Sequence, residues 1–297
     1  MKIALTGASG FVGRHVVPLL AARDVEIIVG TRGSSGFDSF GPQVTVVPLE
    51  IASPEGAFGR LGKPDVLLHL AWGGLPHYQS PAHVDFELPK QIAFLNACVR
   101  DGLRRLVVTG TCLEYGMRPG CLDETLPTAP VAAYGRAKDL LRSHLQKLVD
   151  TSGLQLTWLR LFYLYGPGQA PSSLYSQLRA AIASGATEFP MSPGDQLRDF
   201  LPIETVAEKL VALTLNPRGL GIVNLCSGMP VTISALVREW LDEWDAGLQL
   251  KPGVYPYPNY EPREFWGSAQ RLETLLEESS ILATSTVKSE LGQKQIR

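Results

Sequence analysis

The sequence predicts an α/β fold: a doubly wound parallel sheet with a smaller mixed C-terminal lobe. Three observations lead there. Short β-branched apolar runs alternate with amphipathic helical stretches through the first half. A glycine-rich turn follows the first apolar run at once. After Phe162 the chain changes character, with turn formers in Tyr165-Gly-Pro-Gly-Gln-Ala-Pro171 and aromatics alternating with prolines in Tyr255-Pro-Tyr-Pro-Asn-Tyr-Glu-Pro262.

The elements follow in order. Lys2 to Thr6 reads as a strand and Val12 to Ala22 as a helix by its apolar spacing. Val25 to Gly30 is rich in β-branched residues, continuous over Ile27-Ile28-Val29, the pattern of a strand buried on both faces. Val44 to Leu49, Val66 to Ala71 and Leu106 to Thr109 repeat it. Phe86 to Arg100 has helical periodicity with Gly102 as a stop, and Ala132 to Val149 is a further amphipathic helix. It leads into the strand-like Leu154 to Phe162. Strands and helices alternating at this spacing demand a parallel sheet with right-handed crossovers. Beyond it, Leu174 to Ala183, Val206 to Leu215 and Ile233 to Trp244 are helical, and the polar tail from Ser279 to Arg297 is peripheral. The expected division is 1–162 for the sheet domain, joined again by segments near 195–228, and 163–297 mainly for the second lobe.

Composition narrows the function. The chain has 297 residues, 45% hydrophobic and 19% charged, which excludes a disordered or fibrous protein. Its 27 basic and 29 acidic residues leave a formal charge of −2, which offers no footprint for nucleic acid or an anionic membrane. No apolar stretch is long enough to span a bilayer, and the N-terminus lacks the pattern of a secretory signal. Cys98, Cys112, Cys121 and Cys226 lie far apart, as expected for reduced thiols in a cytoplasmic protein without a metal site.

Thr6-Gly-Ala-Ser-Gly-Phe-Val-Gly13 stands between the first strand and the first helix. Gly7 allows the tight turn, Gly10 lets backbone N–H groups approach a pyrophosphate, and Gly13 permits close helix packing, so a dinucleotide is expected on a Rossmann-type sheet. The second strand ends Val29-Gly-Thr-Arg-Gly-Ser-Ser35, with no carboxylate for a ribose 2′-hydroxyl. Arg32, assisted by Ser34, is placed to hold a 2′-phosphate instead, which favours NADP(H) over NAD(H). Glu50 follows the third strand and either faces the adenine or is solvated there.

Tyr134 and Lys138 are four residues apart on one helix face. A phenol beside an ammonium and an oxidised nicotinamide is biased toward phenolate, which lets it exchange a proton with a substrate oxygen. The preceding strand ends at Thr109-Gly-Thr111, where a hydroxyl can share that oxygen.

Taken together, the chain resembles the extended short-chain dehydrogenases/reductases, in their nucleotide-sugar epimerase/dehydratase/reductase branch. The resemblance rests on Thr6 to Gly13, His69-Leu-Ala71, Thr111-Cys-Leu-Glu-Tyr-Gly116, Tyr134-Gly-Arg-Ala-Lys138, Arg160-Leu-Phe-Tyr-Leu-Tyr-Gly-Pro167, Arg198-Asp-Phe200 and Asn224-Leu-Cys-Ser-Gly228. It implies hydride transfer at a hexose carbon, usually C4, with Tyr134 as acid/base, Lys138 on the nicotinamide ribose and Thr111 as the family's Ser/Thr. Cofactor contacts are assigned to Gly7, Gly10, Phe11, Val12, Gly13, Arg32, Ser34, Glu50, Ile51, Leu70, Ala71 and Thr109, besides Tyr134 and Lys138. Substrate contacts are assigned to Trp72, Thr111, Tyr163 and Arg198.

Departures from the family pattern sharpen the reaction. Dehydratases carry Asp-Glu where this chain has Cys112-Leu113, which cannot transfer the protons needed to eliminate water. Epimerases keep a tightly held NAD and an acidic residue at the end of the second strand, which is missing here. The expectation is therefore an NADPH-dependent 4-ketoreductase, similar to those acting on 4-keto-6-deoxyhexoses. A 4-epimerase with bound NAD is the alternative, and a non-catalytic dinucleotide-sensing scaffold the alternative of another class. The family's Asn before the Tyr-Gly-Pro turn, which meets the substrate diphosphate, is Tyr163. Arg198 matches the diphosphate arginine, unless it forms a surface pair with Asp199. Trp72, His77 and Tyr78 sit where a sugar could stack, and His69 is expected to be a packed histidine. The resemblance also implies a homodimer.

Overall fold

A computed structural model describes residues 1–33 and 41–279. In chain order, the first half comprises β1 (Lys2–Thr6), α1 (Phe11–Ala21), β2 (Glu26–Thr31), β3 (Val44–Pro48), α2 (Ala57–Arg60), β4 (Val66–His69), α3 (Leu88–Arg100), β5 (Arg105–Thr111), β6 (Gly120–Leu122), α4 (Ala133–Ser152) and β7 (Gln155–Leu161). The second half adds β8 (Tyr163–Tyr165), α5 (Leu174–Ala183), β9 (Glu188–Pro190), β10 (Leu197–Pro202), α6 (Ile203–Leu215), β11 (Gly221–Leu225), β12 (Pro230–Thr232), α7 (Ile233–Glu243), β13 (Gln249–Lys251) and β14 (Phe265–Gly267). A last helix, α8, covers 270–279.

Seven strands form one sheet in the order β11-β7-β5-β4-β1-β2-β3, and every neighbouring pair is parallel. This is the Rossmann-type doubly wound sheet. Successive side chains of a strand point to opposite faces, and both faces here are apolar. Ile3, Leu5, Ile27, Val29, Val66 and Leu68 pack against α1 and α6. Ala4, Ile28, Leu67, Leu106 and Val108 pack against α2, α3 and α4 on the other side. That explains the unbroken apolar runs in the sequence.

The strand order reverses between β1 and β4, and a crevice opens at their carboxyl ends, where α/β sheets take their ligands. Three small sheets complete the fold: the mixed β12-β10-β8 and the parallel pairs β13-β9 and β14-β6. A separate apolar cluster of Leu178, Phe189, Met191, Leu236, Val237 and Trp240 holds α5, β9 and α7 together.

Some boundaries differ from the sequence reading. The fourth strand stops at His69 rather than Ala71, because Leu70 and Ala71 leave the sheet to pass against Gly7. The helix read from Phe86 starts as an α-helix only at Leu88. A π-helical turn over His83–Glu87 precedes it, and Pro89 sits in the first α-helical turn, where its missing N–H costs nothing. The short strands β6, β8, β9 and β12–β14 have three residues each, too few to leave a periodic signal. Among the described residues no helix is long and apolar enough to cross a membrane.

Candidate active site

The crevice begins as a cavity of about 310 Å³ at the ends of β1, β2 and β4. Its floor is the glycine turn. Gly7 adopts a left-handed φ of +76°, and a Cβ there would lie 2.6 Å from the Ala71 nitrogen. A Cβ on Gly13 would lie 2.3 Å from the Gly7 carbonyl oxygen, so α1 can approach the turn only with glycine at that position. Gly10 donates its N–H to the Gly7 carbonyl at 3.0 Å and caps α1 with backbone alone. No carboxylate occupies the first turn of α1, which leaves its positive end open to an anion. These residues fit a dinucleotide pyrophosphate.

Gly7, Gly10, Arg32, Glu50, Ile51, Leu70, Ala71 and Trp72 all line this cavity. Phe11 and Val12, in the first turn of α1, pack their side chains against the sheet core instead. Arg32 and Glu50 also line an adjoining groove with Arg60, which is itself tied to the Glu55 and Ser53 carbonyls. Ser34 lies outside the described residues.

Behind the cavity runs a buried polar chain. Thr6 Oγ1 faces His69 Nδ1 at 2.8 Å, and His69 Nε2 faces Gln91 Oε1 at 2.6 Å. Gln91 donates onward to the Ala71 carbonyl and to Glu87, which also accepts the Gly73 N–H. Since Gln91 Oε1 only accepts, His69 carries its proton on Nε2 and takes the Thr6 hydroxyl at Nδ1. Burial pulls the imidazole pKa down to about 4, aided by nearby Lys138. His69 is thus a neutral clamp joining β1, β4 and α3. Glu87, Lys90 and Gln91 line the cavity too and escaped the sequence reading. Their i, i+3 and i+4 spacing, running from the last residue of the π-helical turn into α3, was the available signal.

The helix α4 carries Tyr134 and Lys138. Lys138 is 2% exposed, donates to the Thr109 carbonyl at 2.7 Å and lies 4.1 Å from the centre of the Trp72 ring. Tyr134 is 8% exposed and packs edge-on to Trp72 at 5.9 Å, with Tyr78 and His83 completing an aromatic enclosure. Trp72 Nε1 donates to His83 Nδ1 at 3.1 Å, which fixes the indole in place. The Tyr134 N–H, unpaired within its helix, donates to the Tyr78 carbonyl and draws the loop after β4 over the site. Burial dominates the protonation of both groups. It pushes the Tyr134 phenol far above its usual value and pulls the Lys138 ammonium down to about 7. In the protein alone, the phenolate bias expected from the lysine is therefore outweighed, and Tyr134 holds its proton.

Thr111 ends β5 and begins a tight turn over Cys112–Tyr115. Its Oγ1 accepts the Leu113 N–H at 3.3 Å, and the hydroxyl lies within hydrogen-bond reach of the Cys112 thiol. The turn seats against α4 at Gly135, where a Cβ would lie 2.7 Å from the Leu113 carbonyl oxygen. That contact brings Thr111 toward Tyr134.

A second cavity, of about 540 Å³, is walled by Tyr163, Arg198, Phe200, Gln196, Tyr260 and Glu261 among others. Arg198 does not form a surface pair with Asp199. It is 1% exposed, pairs with Glu261 at 3.0 Å and donates to the Leu197 and Arg263 carbonyls. Asp199 turns the other way and accepts N–H groups from Ser227, Gly228 and Gly267. The Tyr163 hydroxyl is buried beside Glu261 without a well-formed hydrogen bond. Glu261 is a site residue that the sequence did not disclose, because its partner is 63 positions away.

Comparison with known proteins shows the family and the fold. Residues 3–226 match the sequence model of the NAD dependent epimerase/dehydratase family. The chain is 28% identical over 271 residues to dTDP-6-deoxy-L-talose 4-dehydrogenase (NAD(+)) of Aggregatibacter actinomycetemcomitans, covering 90% of this chain and all of that protein. Its fold is similar to that of a UDP-N-acetylglucosamine 4-epimerase from Methanobrevibacter ruminantium, at 21% identity and TM-score 0.80 over 92% of this chain and 91% of the other. It is likewise similar to a UDP-glucuronic acid 4-epimerase from Bacillus cereus, at 20% identity and TM-score 0.80 over 93% of each chain.

Proposed function

The chain belongs to the NAD dependent epimerase/dehydratase family, and on that premise we propose that it reduces a nucleotide-linked 4-keto-6-deoxyhexose at C4, with NADPH as the preferred coenzyme. The observation that carries this reading is the burial of Tyr134 against Trp72 and beside Lys138, which is itself tied to the Thr109 carbonyl on the strand that ends at Thr111. Reduction of a ketone requires a proton for the carbonyl oxygen, and a phenol kept neutral by burial is the donor state. When bound along Gly7, Gly10, Arg32 and Ala71, the nicotinamide coenzyme supplies the hydride to the carbon. Thr111, at the end of β5, supplies a hydroxyl to the same oxygen. Lys138 is placed to hold the nicotinamide ribose and to stabilise the phenolate left on Tyr134.

Cys112 and Leu113 occupy the positions an eliminating enzyme fills with carboxylates; burial pushes the Cys112 thiol pKa up and Leu113 has no proton to give. Water loss between C5 and C6 is therefore disfavoured. The relative named as a 4-dehydrogenase of a dTDP-6-deoxy sugar supports the same ketone–alcohol pair at C4. Tyr163 and Arg198 are assigned to the substrate, with the Arg198–Glu261 pair facing its diphosphate end.

A second reading, a 4-epimerase with retained NAD, is favoured by the 4-epimerases that share the fold and by Glu50, a carboxylate lining the cavity beside Arg32. Purified protein separates the two. Net ketone reduction dependent on added NADPH, with no nicotinamide absorbance in the isolated chain, supports the reductase. Turnover without added coenzyme overturns it. An Arg32→Ala variant should lose kcat/KM with NADPH by about tenfold or more while keeping that with NADH, which is what losing one charge-assisted phosphate contact costs.

A further inference from the structure

One buried charge near the site has no part in the chemistry above. Glu114 is wholly inaccessible. Its Oε1 accepts the Thr111 N–H at 2.9 Å and the Trp158 indole N–H at 3.0 Å, and its Oε2 accepts Arg160 Nε at 2.8 Å. Burial works against the charge and raises the Glu114 pKa, but Arg160, the Thr111 N–H and the Trp158 indole all donate to it, and with no acceptor for a proton of its own the group is held as a carboxylate. Arg142 approaches to 4.0 Å from α4, and the Arg160 guanidinium also lies 4.4 Å over the Tyr115 ring.

The strand is cut to admit this carboxylate. A Cβ on Gly110 would lie 2.4 Å from Glu114 Oε1 and 2.2 Å from Trp158 Nε1. A buried ion pair adds little net stability over apolar side chains of the same volume. Here it reaches between the two halves of the reactive constellation, holding the Thr111 backbone on one side and packing against the Tyr134–Lys138 helix on the other.

We infer that Glu114 is the positioning residue of the site: it fixes Thr111 through its backbone N–H and sets a permanent negative charge behind Lys138 and Tyr134. The inference rests on the reduction proposed above only for its kinetic arm. Burial lowers the lysine and the Glu114 charge raises it, as does Glu87 from the turn before α3. His69 on β4, His83 and Tyr134 are the other titratable groups facing the ammonium. Arg160 compensates Glu114 itself.

The test is Glu114→Gln, read two ways. Nuclear magnetic resonance titration of isotope-labelled lysine in the free protein, with Lys138→Met for assignment, should show the Lys138 midpoint lower than in the parent. With substrate and coenzyme, kcat should fall about 100-fold while KM changes less than about threefold, the cost of misplacing a reacting group without weakening binding. A Lys138 midpoint that does not move overturns the inference, and so does a kcat within about threefold of the parent. If the parent shows no ketone reduction yet the midpoint falls, the reaction assignment fails and the placement of the charge stands. Should the single variant not fold, Glu114→Gln combined with Arg160→Met removes both charges of the pair; loss of the Arg160 charge then offsets the shift at Lys138, so the double variant is read by kcat and KM alone, with the same limits.

Discussion

Replacing Lys138 with methionine should make the fold more stable while removing the activity. An ordinary lysine holds its proton to about 10.5, whereas burial lowers Lys138 to about 7. The folded chain thus binds this proton less tightly than the unfolded chain. Stability is full above the unfolded value and is lost as pH falls toward the folded one, so the whole penalty is present at pH 7 and below. A difference of that size corresponds to roughly 5 kcal/mol. Methionine removes the penalty but also the hydrogen bond to the Thr109 carbonyl and the contact with the Trp72 face, together worth about 2 kcal/mol. The net gain at pH 7 is then about 3 kcal/mol, or about 6 °C in melting temperature for a chain of this size. Urea unfolding at pH 7 and again near pH 10 measures it. The gain should shrink to nothing or reverse at the higher pH. A variant destabilised equally at both would show that the ammonium is well solvated in the native state and refute the reasoning.

Tyr134→Phe should keep coenzyme affinity, followed by thermal shift, and lower turnover by a factor of about 100 to 10,000, the range for a lost general acid. Gly13→Ala places a methyl against three backbone atoms of the glycine turn; calorimetry should find coenzyme binding abolished, with a stability loss of about 1–3 kcal/mol. Glu261→Gln leaves the Arg198 guanidinium buried without its charge partner and should cost about 3 kcal/mol in denaturant unfolding, a penalty that Glu261→Gln with Arg198→Met largely returns. His69 titrates near 4 when folded and 6.5 when not, so its contribution is complete above 6.5 and falls by about 3 kcal/mol as pH drops to 4; His69→Asn should flatten that part of the stability–pH curve.

The strands of the large sheet were legible because both their faces are buried. Runs such as Ile27-Ile28-Val29 have no polar face to alternate with, and each side chain meets helices on one side or the other. The glycine turn was equally plain, since Gly7 and Gly13 answer to contacts made within a few residues or with the next strand. Tyr134 and Lys138 lie one helical turn apart, so helix geometry alone set them on one face.

Protonation, pairing and orientation belong to the tertiary structure. Whether Tyr134 keeps its proton turns on Trp72, Tyr78 and His83, brought to it by the segment after β4, between 51 and 62 positions upstream. Arg198 was readable as an arginine at a family position, but not as one neutralised by Glu261, because nothing local links residues 63 apart. Desolvation is a property of everything packed around a group, and sequence separation carries no record of it.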